Sequence, residues 1–305
     1  MKKILVICGP TATGKTALGV KLAHRFGGEI VSADSRQVYQ GMDIGTGKDL
    51  GELRGTPVWL LDVVRPDQLF SVADYLKLAW EVLADIWARG KLPVVVGGTG
   101  FYIKALTDGI GTLGIPPDWE LRKKLQNDSV SELQNLLRKK NPQRWARMNE
   151  SDRKNPRRLV RAIEVAGKPL NARRLPLDAF FIGLTAPYEI LYRHIDERVD
   201  KRIKEGIEKE IKGLKGKGYN FKNSVLGTTI GYREWAGEGT REEIVRRWQF
   251  DEHDLARRQM TWFRKALRQT QGKFQWFDIG KLGWQKEVEK AVQRWYSKTD
   301  NDKEG

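Results

Sequence analysis

Ile4-Leu5-Val6-Ile7-Cys8-Gly9-Pro10-Thr11-Ala12-Thr13-Gly14-Lys15-Thr16 stands near the start of the chain and decides its fold. The five apolar residues, rich in β-branched types, predict a strand buried on both faces, as in a parallel sheet. The next eight fit G-x-x-x-x-G-K-[ST], and the pattern from Thr16 to Phe26 predicts a helix directly behind them. Strand, glycine-bearing loop and helix in this order form a phosphate cradle. Glycines let the loop wrap so that backbone N–H groups point at phosphate oxygens, and the helix N-terminus adds partial positive charge. Gly9, Pro10, Thr11, Ala12, Thr13, Gly14, Lys15 and Thr16 are therefore the expected diphosphate-binding loop. Lys15 reaches the terminal phosphate, and the Thr16 hydroxyl is placed to ligate Mg²⁺, the expected cofactor. The plain alternative is a glycine-rich turn at a helix start, and the flanking strand and helix count against it. The motif specifies a polyphosphate or diphosphate, not a nucleotide. No N-K-x-D motif is present, and Asp62 resembles a Walker B acid only as any strand-terminal Asp does.

Moving outward, Glu29 to Ala33, Val58 to Asp62 and Leu92 to Val96 read as further strands, and Val72 to Arg89 as an amphipathic helix. Strands alternating with helices predict an α/β fold: a P-loop core with a parallel sheet flanked by helices. Near Gly111 the texture changes. From Pro116 to Lys168 the chain is polar, charged and helical in pattern. Phe180 to Leu184 then returns as a core strand, and Tyr188 to Leu214 as one long charged helix. The expected organisation is a first core segment at 1–111, an inserted all-helical domain at 112–178, and a second core segment at 179–305 with C-terminal helices. The tail after Ser297 is expected to fray.

The 305 residues include 55 Lys and Arg against 39 Asp and Glu, a net charge of +16. Such an excess suits a polyanionic partner, since neutralised phosphates release counterions, although a basic soluble enzyme would also show it. Hydrophobic residues make up 40% of the chain, enough for a core and against wholesale disorder. Cys8 is the single cysteine, so no intrachain disulfide forms, and His24, His194 and His253 lie too far apart in sequence for a zinc finger. The apolar run Ile4–Cys8 is too short for a signal peptide or a membrane span, which leads us to expect a cytoplasmic protein with no membrane partner.

Further segments carry a resemblance. Asp34-Ser35-Arg36-Gln37-Val38-Tyr39 follows the second strand, Asp43-Ile44-Gly45-Thr46-Gly47-Lys48 comes next, and Gly97-Gly98-Thr99-Gly100-Phe101-Tyr102 ends the fourth. Asn155 to Glu164, Ile230-Gly231-Tyr232-Arg233-Glu234 and Ala256 to Arg264 complete an ordered set. Together with the P-loop, this set resembles the tRNA dimethylallyltransferase (tRNA isopentenyltransferase) family over about Ile4 to Arg264. No C-terminal zinc-finger spacing follows, so the bacterial form is expected. The sequence departs from the family pattern at Gly55-Thr56-Pro57-Val58-Trp59, where a His-His-Leu type segment is usual. It departs again at Gly45-Thr46-Gly47-Lys48-Asp49, where the pattern is G-T-A-K-P.

The resemblance implies transfer of a dimethylallyl group from dimethylallyl diphosphate to N6 of the adenosine 3′-adjacent to the anticodon, in tRNAs reading codons that begin with U. It implies Asp34 as the general base. From the residues alone Asp34, just past a strand end, reads rather as a helix or turn cap. Thr99 would donate to the bridging oxygen of the diphosphate or position the amine. Arg198 would join Lys15 in neutralising the leaving group, and Arg233 is a comparable candidate. On composition alone Arg198 belongs to a solvated helix face. Asp34, Ser35, Arg36, Gln37 and Thr99 would meet the target adenosine and its neighbours, with the Gln37 amide suited to an adenine edge. Arg122, Arg157, Arg158 and Arg161 would meet the anticodon stem-loop from the inserted domain. Arg157 and Arg161 share a helical face, where like charges need an anionic partner, either tRNA or the nearby Asp152 and Glu164. Arg257, Arg258 and Gln259 would hold the tRNA backbone, ahead of a core-facing Trp262. A monomer is expected. Two rivals stay open at this point: a small-molecule P-loop kinase, which would turn over ATP, and a P-loop RNA-binding switch without alkyl transfer.

Overall fold

The N-terminal apolar run forms β1, Lys2–Cys8, whose residues from Ile4 to Cys8 have no exposed surface. The computed structural model describes residues 1–170, 176–222, 224–266 and 273–297; the tail after Ser297 lies outside them. After β1 come α1 (Lys15–Phe26), β2 (Gly28–Ser32), β3 (Val58–Trp59), α2 (Val72–Ala88), β4 (Leu92–Gly97) and α3 (Gly100–Asp108). The chain divides into two compact units, one of residues 1–108 with 175–305, the other of residues 109–174.

In the first unit the chain continues through β5 (Leu177–Thr185), α9 (Tyr188–Glu205), α10 (Ile207–Gly216), a short α11 (Arg233–Ala236), α12 (Arg241–Ala266), β6 (Lys273–Asp278) and α13 (Trp284–Tyr296). The six strands form one sheet in the order β3-β2-β4-β1-β5-β6, every pair parallel. Val6 sits between Val95 and Phe181. Apolar side chains fill both faces. Leu5, Ile7, Leu22, Val94, Ile182 and Val292 pack together on the side of α1 and α13. Val38, Met42, Ile195, Val199, Tyr232 and Trp248 form a second cluster. Because β1 is flanked by β4 and β5, the carboxyl ends of the central strands open a crevice of the kind where α/β sites form.

Three expectations change. The strand expected from Val58 to Asp62 lasts two residues, because Leu60 and Asp62 turn into the left-handed region at φ 66 and 55. The expected helix Tyr188–Leu214 breaks at Gly206, whose φ of 96 ends α9 and starts α10. Strand β6, Lys-Phe-Gln-Trp-Phe-Asp, was missed; it pairs with β5 at the edge of the sheet, where only one flank is covered and its apolar signal is diluted.

The described residues of the second unit form five helices and no strand: α4 (Trp119–Lys124), α5 (Val130–Lys140), α6 (Pro142–Arg147), α7 (Glu150–Arg153) and α8 (Pro156–Glu164). Asp118, Ser129, Asn141, Asn149 and Asn155 cap their N-termini, each accepting a backbone N–H. Leu125, Leu133, Leu137, Met148, Leu159 and Ile163 make its own small core.

Candidate active site

Gly14 enters α1 in the left-handed conformation and offers no side-chain cap, so the first-turn N–H groups of α1 are left for an external anion. The loop holds its shape through Thr13, whose hydroxyl donates to the Pro10 carbonyl at 2.9 Å, and through the Lys15 ammonium, which donates to the same carbonyl at 2.6 Å. Thr11, Ala12, Gly14, Lys15 and Thr16 line a cavity of about 560 Å³ at the carboxyl ends of the strands. Burial, and then the nearby Arg198, push Lys15 down to about 8, against the pull of Asp34. Cys8 beneath the loop is pushed up to about 12 by burial, which makes it an inert core thiol.

Across the cavity stand the ends of β2 and β4. They touch closely: a Cβ on Gly97 would lie 2.1 Å from the Ala33 carbonyl oxygen. This contact brings Asp34 and Thr99 to one wall. The Thr99 hydroxyl accepts the Ser35 N–H at 2.9 Å and lies 3.3 Å from the Ser35 hydroxyl. One carboxylate oxygen of Asp34 accepts the Arg36 N–H at 2.8 Å. Asp34 is therefore a turn cap through that oxygen, while its half-buried carboxylate still lines the cavity.

Gln37 lines the cavity but its amide is engaged. Its NH₂ donates to the Gly47 carbonyl at 2.8 Å, and its oxygen accepts from Ser32 at 3.2 Å. Gln259 likewise accepts the Thr11 N–H at 2.8 Å and donates to the Gly98 carbonyl at 3.0 Å, latching the P-loop to the end of β4. Both amides were read as nucleic-acid contacts; their hydrogen bonds here join loops of the site to one another. Arg258 lines the cavity beside its ion pair to Asp254, whereas Arg257 points away to the Tyr192 hydroxyl.

The helix-face reading of Arg198 does not hold. Its guanidinium reaches the Thr11 hydroxyl at 2.5 Å and Glu252 at 3.0 Å, with the side chain one-fifth exposed. Glu252 also accepts from Arg202 at 3.1 Å, and both of these side chains are 5% exposed. Burial and Arg202 push Arg198 down to about 10. Burial raises the Glu252 carboxyl, but the two guanidinium groups pull it further down, below the usual carboxylate range. Arg233 lines the same cavity, held by Glu234 at 2.6 Å and Asp251 at 2.5 Å.

The sequence reading missed Glu252, Arg202 and the fasteners of the loop after β2. Lys48 is fully buried and donates to Asp43, Asp62 and the Tyr39 carbonyl. Asp62 is thus a partner of Lys48 and outside the cavity lining, which removes it as a Walker B acid. Glu210 accepts the N–H groups of Asp43, Ile44 and Gly45 and the Tyr232 hydroxyl. Gly45-Thr46-Gly47 thereby becomes a rigid wall. The signal for Lys48 was its place inside a quoted motif; Glu252 and Arg202, on helices crowded with charge, gave none.

In the helical unit, Arg122 and Arg161 converge on the buried Glu164, and Arg161 also donates to the Thr112 and Ile115 carbonyls, both at 2.8 Å. Arg158 pairs with Asp152. The intramolecular partners foreseen for the 157–161 segment, Asp152 and Glu164, are therefore taken by Arg158 and Arg161. Arg157 is exposed and has no ion pair among the described residues. Segment 109–174 carries 16 Lys and Arg against seven Asp and Glu, more than half of the net charge of the chain.

The family model for IPP transferase matches residues 37–266. The chain is 37% identical to a tRNA dimethylallyltransferase of Thermomicrobium roseum, covering 96% of this chain and 91% of that protein. It is 42% identical to that of Pelotomaculum thermopropionicum, over 86% and 88%. Among solved structures, the full-length tRNA isopentenylpyrophosphate transferase from Bacillus halodurans matches with a TM-score of 0.72 at 34% identity, covering 97% of each chain. A eukaryotic dimethylallyltransferase acting on tRNA matches with a TM-score of 0.83 at 26% identity, over 96% of this chain and 78% of that one.

Proposed function

This chain belongs to the IPP transferase family and is a tRNA-modifying prenyl transferase, and from that premise we propose how its cavity performs the transfer. The donor is dimethylallyl diphosphate. The acceptor is N6 of the adenosine 3′-adjacent to the anticodon in tRNAs reading codons that begin with U. The products are N6-dimethylallyladenosine and diphosphate.

One observation carries the reading: a single cavity joins the P-loop with Lys15, the Asp34–Thr99 wall and the Arg198 guanidinium. The N6 lone pair is delocalised into the adenine ring, so the nucleophile is weak. As the N6–C1 bond forms, Asp34 accepts the N6 proton. The C1–O bond breaks and its electron pair leaves with the diphosphate. Charge on that leaving group is met by the free N–H groups of α1, Lys15 and Arg198. Thr99, fixed through Ser35, positions the amine or the bridging oxygen. Among the described residues no cluster of three acidic, His or Cys side chains could hold a metal. A hard cation would thus rest on the Thr16 hydroxyl and the donor's own oxygens, which suits Mg²⁺, and it would supply further neutralisation of the leaving group.

The target base must leave the anticodon-loop stack to reach a cavity at the strand ends. The basic helical unit supplies phosphate contacts for the stem-loop, Arg157 foremost because it is exposed and has no ion pair among the described residues. The protein acts as a cytoplasmic monomer in this reading; among the described residues no helix is long and apolar enough to cross a membrane. The test is to incubate the protein with labelled dimethylallyl diphosphate or labelled ATP, with and without unmodified tRNA. Label from the isoprenoid should appear on tRNA adenosine. ATP turnover with no prenyl transfer would favour a kinase, and tRNA binding with neither would favour a switch.

A further inference from the structure

The cavity contains a cation that no step above uses. Arg202 lies one helical turn beyond Arg198 on α9 and lines the same cavity, yet its side chain is 5% exposed. Glu252 takes one of its terminal nitrogens. Among the described residues its buried Nε has no hydrogen-bond partner, and neither has the buried Nε of Arg198. Orphaned guanidinium donors at the edge of a polar cavity point to an anionic ligand, because burying them unpaired is costly.

The opposite wall is built around this side chain. A Cβ on Gly47 would lie 1.9 Å from an Arg202 terminal nitrogen and 3.0 Å from its central carbon. The guanidinium thus lies directly over the Gly47 backbone, and any side chain at that position would have to displace it. The wall cannot retreat, because Gln37 holds the Gly47 carbonyl, Glu210 holds the N–H groups of residues 43–45, and Lys48 anchors the loop beneath. One carboxylate, Glu252, serves two arginines there, so the pair retains a positive charge for an incoming anion.

We propose that Arg202 is a second diphosphate-binding cation of this protein, paired with Arg198 through Glu252 and seated by Gly47. The inference rests on the reading that the donor's diphosphate occupies this cavity. Arg198, in contact with the P-loop, holds the phosphate nearer that loop, and Arg202 holds the one farther from it.

The experiment measures inorganic pyrophosphate binding by calorimetry on the whole protein and on the Arg202→Met, Arg202→Lys and Gly47→Ala variants. Wild type should bind. Arg202→Met should weaken binding about ten- to a hundredfold, the range for a lost hydrogen bond to a charged group. Arg202→Lys should keep part of the affinity. Gly47→Ala should weaken it too, by displacing the guanidinium, and should add little in the Arg202→Met background. In turnover, Arg202→Met should raise the KM for the isoprenoid donor and lower kcat, because the same cation meets the departing diphosphate, while the KM for tRNA stays near wild type. Should Arg202→Met misfold, Arg202→Lys and Gly47→Ala give the same readout. If wild type fails to bind pyrophosphate, the diphosphate reading itself falls. If wild type binds and the folded Arg202 variants match it within twofold, Arg202 is only a structural partner of Glu252 and the proposal is overturned.

Discussion

Replacing Glu252 with Gln leaves two buried guanidinium groups without their shared counter-charge. The carboxylate lies 3.0 Å from Arg198 and 3.1 Å from Arg202, with 5% of its side chain exposed. Solvent cannot substitute for it at that depth, and breaking a buried pair by removing one partner costs about 3–5 kcal/mol. An unfolding entropy of about 2.1 cal/mol/K per residue gives a 305-residue chain about 0.6 kcal/mol/K. Tm should therefore fall by about 5–8 °C, measured by calorimetry near pH 7. The pH dependence supplies a second check. Because the folded carboxyl is held below its usual range, its stabilisation is present above the unfolded pKa of about 4.3 and is lost as pH falls further. The gap between wild type and Glu252→Gln should stay constant from pH 8 to pH 5 and narrow below about pH 4. Pyrophosphate should raise the variant's Tm at least as much as that of wild type, since an anion can replace the missing charge. A Tm drop under about 1.5 °C, or a gap insensitive to acid, would refute the reasoning that Glu252 is the counter-ion of this site.

Asp34→Asn should keep tRNA affinity within a few-fold and lower the single-turnover rate by roughly 10²–10⁴, the range for a lost general base; near wild-type chemistry would leave only its cap to Arg36. Lys15 titrates near 8 in the free site, and an anion favours its charged form. The ratio of wild-type to Lys15→Met affinity for pyrophosphate, in which the ligand's own titration cancels, should accordingly be level below pH 8 and fall by up to about tenfold per pH unit above it. Arg161→Ala should destabilise the helical unit, by removing a partner of the buried Glu164, whereas Arg157→Ala should leave its melting unchanged. Arg157→Ala should instead reduce the log–log salt slope of tRNA binding by about one unit or less, and an unchanged slope would place the stem-loop elsewhere.

The sequence by itself determined the parts whose physics is local. A β-branched run before G-x-x-x-x-G-K-T made a buried strand and an anion-binding helix start, because glycine conformation and helix-end N–H groups need only neighbouring residues. The ordered motifs at Asp34 and Thr99 were legible as strand ends for the same reason. Tertiary structure decided the partners of long polar side chains. Gln37 and Gln259 could be read as contacts to a nucleic acid. Only the fold shows that they reach Gly47 and Gly98, up to 161 residues away in the chain; for Arg161 it decides between the phosphate and the Glu164 that the sequence left open. Arg198 and Arg202 were indistinguishable from a solvated helix face until Glu252, 50 and more residues later, packed against them. Whether an arginine is a surface charge or a buried cation depends on what excludes water from it, and that is set by packing between distant segments, which side-chain spacing along one helix does not encode.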